Sequence, residues 1–166
     1  KVQRKINKYD YPLRQITDLC GARVITQTVD QVKAVCRCIE ERFAIDRENS
    51  LDVSMRLKPA EFGYRSVHYI VSFRSDTFIT PYGTVPVPRA LIEPEPLKAE
   101  IQVRTLLEHA WADFAHDTVY KNSFCVPNRL QREFASLAAS LERTDASFSR
   151  IKDELKSYAE HYDAYM

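Results

Sequence analysis

The stretch Ala99–Thr105 alternates polar and apolar side chains, and this alternation constrains the fold more than any other feature of the chain. It predicts a strand with Glu100, Gln102 and Arg104 on one face and apolar residues on the other. If the apolar face is buried, the polar face looks into a cleft or into water. An exposed edge strand is an open alternative, because a polar side is normal in antiparallel sheets. The pattern then changes to that of a helix over residues 106–120.

Two earlier segments predict further strands of the same sheet. Residues 16–28 are apolar and β-branched enough for a buried strand, with Asp18 near its start and Arg23 five residues later. Residues 66–73 form another, in which His68 points away from the apolar face. A carboxylate in an apolar strand is costly to bury unless it is paired or metal-bound. A metal ligand and a buried salt bridge to Arg23 are therefore both open for Asp18.

The remaining segments predict helices and one long loop. Asp30 is expected to cap a helix that runs to about Phe43. Residues 74–97 contain many prolines and read as a loop with short extended pieces. Residues 127–166 are helical throughout, with apolar residues at alternating spacings of three and four. Two alternatives stay open there, namely a pair of core helices broken near Thr144–Asp145 and a self-associating helix that makes a homo-oligomer.

Composition and missing motifs exclude several classes of protein. The chain has 24 basic and 23 acidic side chains, so its total charge identifies no partner. No apolar run approaches the roughly 18 residues of a membrane span, and the cysteine spacing suits reduced thiols in the cytoplasm. The absence of a glycine-rich phosphate loop excludes a P-loop enzyme. His109 and His116 share a helix face without a third ligand at helical spacing, so a zinc site is not expected.

The polar groups of the predicted sheet suit a nucleoside triphosphate bound with Mg²⁺. Two carboxylates on neighbouring strands, Asp18 and Glu100, match the one or two that Mg²⁺ takes in addition to phosphate oxygens. Arg23 can supply a guanidinium fork to phosphate. Phosphoryl chemistry depends mainly on such positioning and positive charge.

Four motifs, in this order and spacing, resemble the RelA/SpoT-type alarmone synthetase domain. They are Asp18-Leu-Cys-Gly-Ala-Arg23-Val-Ile, Gly63-Tyr-Arg-Ser-Val-His68, Glu100-Ile-Gln-Val-Arg-Thr105, and His109-Ala-Trp-Ala-Asp-Phe-Ala-His116 with Tyr120-Lys121 after it. The resemblance implies a synthetase domain over residues 1–126 that lacks the first part of its ATP-binding region. Residues 127–166 are similar, more loosely, to the helices that follow this domain in small alarmone synthetases.

The resemblance implies an α/β (α+β) fold of the nucleotidyltransferase type, a mixed β-sheet flanked by helices, with a long C-terminal helical segment. It also implies a cytoplasmic pyrophosphokinase that transfers the β,γ-pyrophosphate of ATP to the 3′-hydroxyl of GDP or GTP. The products would be the alarmone (p)ppGpp and AMP. Mg²⁺ would be the cofactor.

The resemblance also implies a role for individual residues. Asp18 and Glu100 would be catalytic and hold the metal, and Glu100 would either assist the metal or take the proton from the attacking hydroxyl. The ATP-binding residues would be Lys1, Arg4 and Arg23. The acceptor-binding residues would be Tyr64, as a stacking platform for the base, together with His68, Gln102 and Arg104.

The sequence departs from the family pattern on the acceptor side. Ala60-Glu61-Phe62 stands where many members have Lys-Pro-Asn, and Ala115 stands where an acidic residue usually precedes His116. The acceptor therefore stays open, and an adenine nucleotide or the 3′ end of tRNA is a rival to GDP and GTP. A non-catalytic nucleotide-binding module is the alternative from another class. Retention of both Asp18 and Glu100 argues against it, because binding alone does not need the second carboxylate.

Overall fold

A computed structural model describes residues 15–120 and 126–162 of the chain. The candidate residues Lys1 and Arg4 lie outside the described residues. Within the described ranges the elements in order are the strand β1 (Cys20–Thr26), the helix α1 (Val29–Arg42), the strands β2 (Ala44–Ile45), β3 (Leu51–Asp52), β4 (Val67–Ser72), β5 (Thr77–Thr80), β6 (Gly83–Pro86) and β7 (Ala99–Thr105), the helix α2 (Leu106–Ala115) and the helix α3 (Asn128–Glu160). Short 3₁₀ turns cover Val53–Arg56 and Arg89–Leu91, and a π-helical turn covers His116–Tyr120. The predicted α/β fold is confirmed.

The predicted strand at residues 99–105 forms as expected, and it is not an edge strand. The sheet order is β1-β7-β4-β2, with β3 also paired to β4, so β7 lies between two neighbours. β4 runs antiparallel to β7, with Val67 opposite Val103 and Val71 opposite Ala99. The alternative of an exposed edge strand is therefore wrong.

Residues of the described chain fall into two compact units. The first contains residues 15–24, 34–52 and 67–103, and the second contains 25–33, 53–66, 104–120 and 126–162. In the first unit, Tyr69 and Val71 of β4 are buried, and the Tyr69 hydroxyl donates to Glu40 Oε1 on α1 at 2.8 Å. Burial and this bond to a carboxylate both raise the pKa of Tyr69, so the phenol stays protonated. One face of β4 thus packs against α1.

The proline-rich segment after β4 contains a hairpin of β5 and β6. Its β-branched residues favour strands, and Gly83 has a φ of +128° that other residues rarely adopt. Phe78 packs against Phe43 and Phe73 with ring centroids 4.9 and 5.6 Å away. Arg42 Nη1 also donates to the Ile79 carbonyl at 2.8 Å. The end of α1 therefore fixes the hairpin.

β1 differs from the predicted strand in where it begins and in how far it is buried. Residues 16–28 were expected to form one buried strand, but β1 begins at Cys20 and its first four residues are exposed. β1 ends the order of the described strands, so it has one neighbour where a central strand has two. Asp18 lies in the turn before it.

The cap of α1 also differs from the prediction. The Thr28 hydroxyl accepts a hydrogen bond from the Gln31 backbone N–H at 3.4 Å, so Thr28 caps this helix and Asp30 lies in its first turn. A threonine at the N-cap satisfies an N–H that the helix leaves open. The helix consequently begins before Asp30.

In the second unit, α2 begins with a capping box. The Thr105 hydroxyl accepts from the Glu108 N–H, and the Glu108 carboxylate accepts from the Thr105 N–H. Trp111 on α2 donates its Nε1–H to the Phe134 carbonyl of α3 at 3.3 Å. Trp111, Ala112, Ala115 and Ala138 form the buried core between the two helices.

The long C-terminal helix is continuous from Asn128 to Glu160, so the predicted break near Thr144–Asp145 is wrong. The Thr144 hydroxyl donates to the Ser140 carbonyl within the same helix at 2.8 Å. The Asp145 carboxylate accepts from the Thr105 hydroxyl instead of capping a new helix. Among the described residues, no helix combines the length and the apolar character needed to cross a bilayer.

Candidate active site

The first unit brings Glu100, His68 and Gln102 together on one face of the sheet. The register pairs His68 with Gln102 and Ile70 with Glu100, which puts the three polar side chains on the same side. His68 Nδ1 lies 2.8 Å from Glu100 Oε1, and Gln102 Nε2 donates to Glu100 Oε2 at 2.9 Å. About a fifth of each side chain of the His68–Glu100 pair is exposed. The carboxylate is therefore oriented through both oxygens and remains accessible.

Asp18 and Arg23 belong to the same unit as Glu100. Both are exposed, so the alternative of a buried salt bridge between them is wrong. A Cβ added to Gly21 would lie 3.6 Å from the Glu100 carbonyl oxygen, which shows how closely β1 approaches the backbone of β7 there. Asp18 is only three residues from that contact. Asp18 is therefore in contact with solvent and is not packed in a core.

The second unit brings Tyr64 and Arg104 together. The guanidinium carbon of Arg104 lies 6.0 Å from the centroid of the Tyr64 ring, at the outer limit of a cation–π contact. Arg104 is only 3% exposed. Because so little of the guanidinium meets solvent, its position favours support of the Tyr64 ring over direct capture of a phosphate.

A cavity of about 370 Å³ opens beside Tyr64 within the second unit. Its size is that of a pocket for a small ligand. Most of its wall is apolar or aromatic, which suits a flat heterocycle better than a phosphate. The lining residues are Phe62, Gly63, Tyr64, Trp111, Ala115, Val126, Gln131, Phe134 and Ala135.

The sequence interpretation missed a set of ionic contacts in the second unit. Arg65 Nη1 lies 2.8 Å from Glu142 Oε1, and Arg65 Nε lies 3.5 Å from Glu108 Oε1. The Thr-x-x-Glu pattern of the α2 cap was a readable signal for Glu108. The sequence signal for Asp145 was weaker, namely a carboxylate beside the apolar stripe of a helix.

Among the described residues, no three His, Cys, Asp or Glu side chains lie close enough together to hold a metal ion by themselves. A Mg²⁺ ion bound with a nucleotide needs only one or two carboxylates, since phosphate oxygens and water complete its shell. The exposed Asp18 and the partly exposed Glu100, both in the first unit, are the carboxylates that could take this role.

Comparison with known proteins identifies the family. The sequence pattern described as "Region found in RelA / SpoT proteins" matches residues 1–124. The chain is 27% identical to GTP pyrophosphokinase YjbM of Bacillus subtilis over 158 residues, which cover 93% of this chain and 68% of that protein.

Solved structures agree with this match. A GTP pyrophosphokinase family protein from Streptococcus pneumoniae has a TM-score of 0.66 and 26% identity, covering 94% of this chain and 71% of that one. Small alarmone synthetase 1 from Bacillus subtilis has a TM-score of 0.66 and 25% identity, covering 94% and 75%. The fold, the four motifs and these matches together lead to one conclusion: the chain belongs to the RelA/SpoT family and resembles its small alarmone synthetases.

Proposed function

We propose that this protein is a pyrophosphokinase that transfers the β,γ-pyrophosphate of ATP to the 3′-hydroxyl of GDP or GTP. The names of its relatives and the four family motifs support this activity. The observation that carries the proposal is the Glu100 carboxylate, oriented by His68 and Gln102 and still accessible. A nucleotide-binding module would not need a carboxylate aligned in this way.

Glu100 acts as the general base in this mechanism. A ribose hydroxyl is a poor nucleophile at neutral pH, so a carboxylate within hydrogen-bond reach must take its proton. The 3′-oxygen attacks the β-phosphorus of ATP and forms a new P–O bond. The bond from that phosphorus to the α,β-bridging oxygen breaks, and AMP leaves with the bridging oxygen. His68 and Gln102 keep the Glu100 oxygens aimed during the transfer.

The ATP side of the site uses cations and a carboxylate. Arg23 contacts the phosphates from β1, and the family resemblance assigns Lys1 and Arg4 to the same nucleotide. Asp18, with Glu100, would hold Mg²⁺, which when bound neutralises charge on the transferring phosphates. The exposed position of Asp18 fits this role, because the ion keeps part of its water shell.

The acceptor side uses Tyr64 as the platform for the base. Stacking on an aromatic ring contributes about 1–3 kcal/mol with little preference among bases. The aromatic cavity beside Tyr64 supports this assignment. The family resemblance also assigns His68 and Gln102 to the acceptor, and Arg104 lies against the Tyr64 ring.

A product assay tests the reaction and the acceptor together. The purified protein is incubated with Mg²⁺, γ-labelled ATP and, in separate arms, GDP, GTP, AMP, ATP or tRNA. We expect label in ppGpp or pppGpp in the guanine arms. Label on an adenine nucleotide or on tRNA would contradict GDP and GTP as acceptors, but the proposed pyrophosphate transfer would stand. Absence of transfer in every arm would instead favour the binding module.

We also propose that α3 joins two copies of this chain. Large apolar side chains on its second half are 47–63% exposed and follow spacings of three and four, as in a helix that pairs with another helix. They are Phe148, Ile151, Leu155 and Tyr158, and the exposed Tyr162 continues the spacing just after the helix ends. A second copy presents the same stripe and can cover it.

A further inference from the structure

A group of ionisable side chains in the unit that carries Tyr64 takes no part in the mechanism above. Arg65 stands between two carboxylates, with Nη1 2.8 Å from Glu142 Oε1 and Nε 3.5 Å from Glu108 Oε1. The Arg65 and Glu108 side chains are only 23% and 14% exposed. Ion pairs that are shielded from water in this way are stronger than ion pairs on an open surface.

A chain of hydrogen bonds extends this group into the middle of α3. Glu108 Oε2 accepts from the Thr105 N–H at 2.8 Å, and the Thr105 hydroxyl donates to Asp145 Oδ2 at 2.6 Å. Glu142 lies on α3, within one turn of Asp145, and closes the ring back to Arg65. We call Arg65, Thr105, Glu108, Glu142 and Asp145 the Arg65 cluster.

Asp145 is the carboxylate of the Arg65 cluster whose burial is costly. It is 2% exposed, and burial raises its pKa, against the hydrogen bond from Thr105 and the charge of Arg65, which lower it. Within residues 15–120 and 126–162, the buried atoms Asp145 Oδ1 and Arg65 Nε have no hydrogen-bond partner. Both residues line a cavity of about 10 Å³, which is large enough for one bridging water. A buried carboxylate does not stabilise the helix that carries it, because burying its charge costs free energy. What Asp145 provides is its hydrogen bond with Thr105.

The Arg65 cluster adjoins both members of the Tyr64–Arg104 contact. Arg65 directly follows Tyr64 in the chain, and Thr105 directly follows Arg104. Glu108 binds both Arg65 and Thr105, and α3 holds them again through Glu142 and Asp145. Fixing these two neighbours fixes the backbone from which the Tyr64 ring and the Arg104 guanidinium extend.

We propose that the Arg65 cluster is a positioning device that holds Tyr64 in place for the acceptor base. On this proposal, which rests on the proposed function, α3 contributes to acceptor recognition through Glu142 and Asp145 without touching the acceptor. Loss of the cluster releases the segment that carries Tyr64. Acceptor binding then weakens because the stacking platform must be ordered at each binding event.

The test uses Glu142→Gln and Asp145→Asn, each of which removes one charge and keeps the side-chain shape. Glu133→Gln is the matched control, because Glu133 also lies on α3 and also pairs with an arginine, Arg129, at 3.2 Å. That pair is 85% and 60% exposed and lies outside the cluster. Hydrogen exchange of the backbone over residues 62–66 and the KM for GDP and for ATP are measured for each variant.

We expect faster exchange over residues 62–66 and a KM for GDP about tenfold higher in both cluster variants, as the loss of a charged hydrogen bond predicts. The KM for ATP stays within about twofold, and Glu133→Gln matches the wild type in all three measurements. The half-exposed Glu142 gives a variant that keeps the fold even if Asp145→Asn does not.

Two results would overturn the positioning role. Unchanged exchange in Glu142→Gln would show that the Arg65 cluster does not hold the Tyr64 segment. Equal increases of the KM for GDP and for ATP would show a general structural role. Hydrogen exchange needs no activity, so it decides the first point even if the wild type transfers no pyrophosphate, a result that would sink the proposed function separately.

Discussion

At the scale of single residues, the site depends on how Glu100 is held. His68 reaches it from the neighbouring strand, and Gln102 reaches it from two residues along its own strand. Each contact uses a different oxygen of Glu100, so the carboxylate cannot rotate freely. A carboxylate restrained in this way loses little entropy when it accepts a proton from a positioned hydroxyl.

Removal of the Glu100 charge gives the most direct prediction. Glu100→Gln keeps the shape and loses the base, so we expect kcat to fall about 10²–10⁴-fold, the usual contribution of general base catalysis. Binding of a non-hydrolysable ATP analogue, measured by calorimetry, should remain largely intact. Retained turnover in this variant would remove Glu100 from its role as base.

Removal of the Tyr64 ring separates the two nucleotides. Tyr64→Ala loses about 1–3 kcal/mol of base stacking, so we expect the KM for GDP to rise by at least about fivefold. The KM for ATP should change little. Tyr82→Ala is the control, because Tyr82 is a fully exposed tyrosine on the β5–β6 hairpin. Equal losses for both nucleotides would contradict the stacking role.

At the scale of elements, pairing of β4 with β7 decides which polar groups meet. Glu100 and His68 are 32 residues apart in sequence, and only the antiparallel register brings them onto one face. An ion pair between Lys98 Nζ and Asp46 Oδ2, 2.6 Å apart, links the residue before β7 to the residue after β2. It helps to fix the start of the strand that carries Glu100.

The tie between Lys98 and Asp46 predicts a pH dependence of stability. The hydrogen bond from Lys98 is the main cause of the lowered pKa of Asp46, so the folded state binds this proton less readily than the unfolded chain does. The stabilisation is complete above the ordinary pKa of an aspartate and is lost as the pH falls through the lowered value. We expect Asp46→Asn to cost about 1 kcal/mol of unfolding free energy at pH 7.

Urea titrations from pH 7 into the acidic range check this dependence. The difference in unfolding free energy between wild type and Asp46→Asn should shrink toward zero as Asp46 of the wild type becomes protonated. Asp30→Asn is the control, since Asp30 pairs with Lys33 at 3.3 Å on an exposed helix surface and should show a smaller effect. A difference that stays constant across the pH range would contradict the assigned cause.

At the scale of the whole molecule, α3 has two different halves. The first half packs on α2, where the Phe134 ring stacks on Phe114 at 5.6 Å and meets Trp111 edge-on. The second half carries the exposed stripe that includes Ile151 and Leu155. The helix thus serves the core of its own unit at one end and offers an apolar surface at the other.

A charge placed in the exposed stripe should prevent association of two copies. We expect Ile151→Asp and Leu155→Asp to lower the molecular mass measured by light scattering to that of one chain. The wild type should show a multiple of that mass. Ser157→Asp adds the same charge on the opposite side of α3 and should leave the mass unchanged. A wild type that is monomeric at high micromolar concentration would sink the proposed pairing.

Local patterns along the chain were enough to predict the family, the fold class and most of the elements. The alternation at residues 99–105 predicted β7 with its observed bounds, and the motif order identified a RelA/SpoT domain. The cap at Asp30, the break at Thr144–Asp145 and the buried strand at residues 16–28 were wrong. The cap moved to Thr28, a neighbouring residue that is also a good N-cap. The other two errors arose from interactions that the local pattern does not encode, namely the Thr105–Asp145 bond and the position of β1 at the end of the described strand order.

The side-chain partners of the site, in contrast, depend on long-range contacts. The contact of Glu100 with His68 depends on strand register, and the contacts of Arg65 depend on how α2 and α3 pack. Charges alone cannot reveal such partners, because many distant pairings are compatible with one sequence pattern and the packing of buried surfaces selects among them. Local chemistry therefore named the candidate residues, and the long-range packing of strands and helices gave them their neighbours.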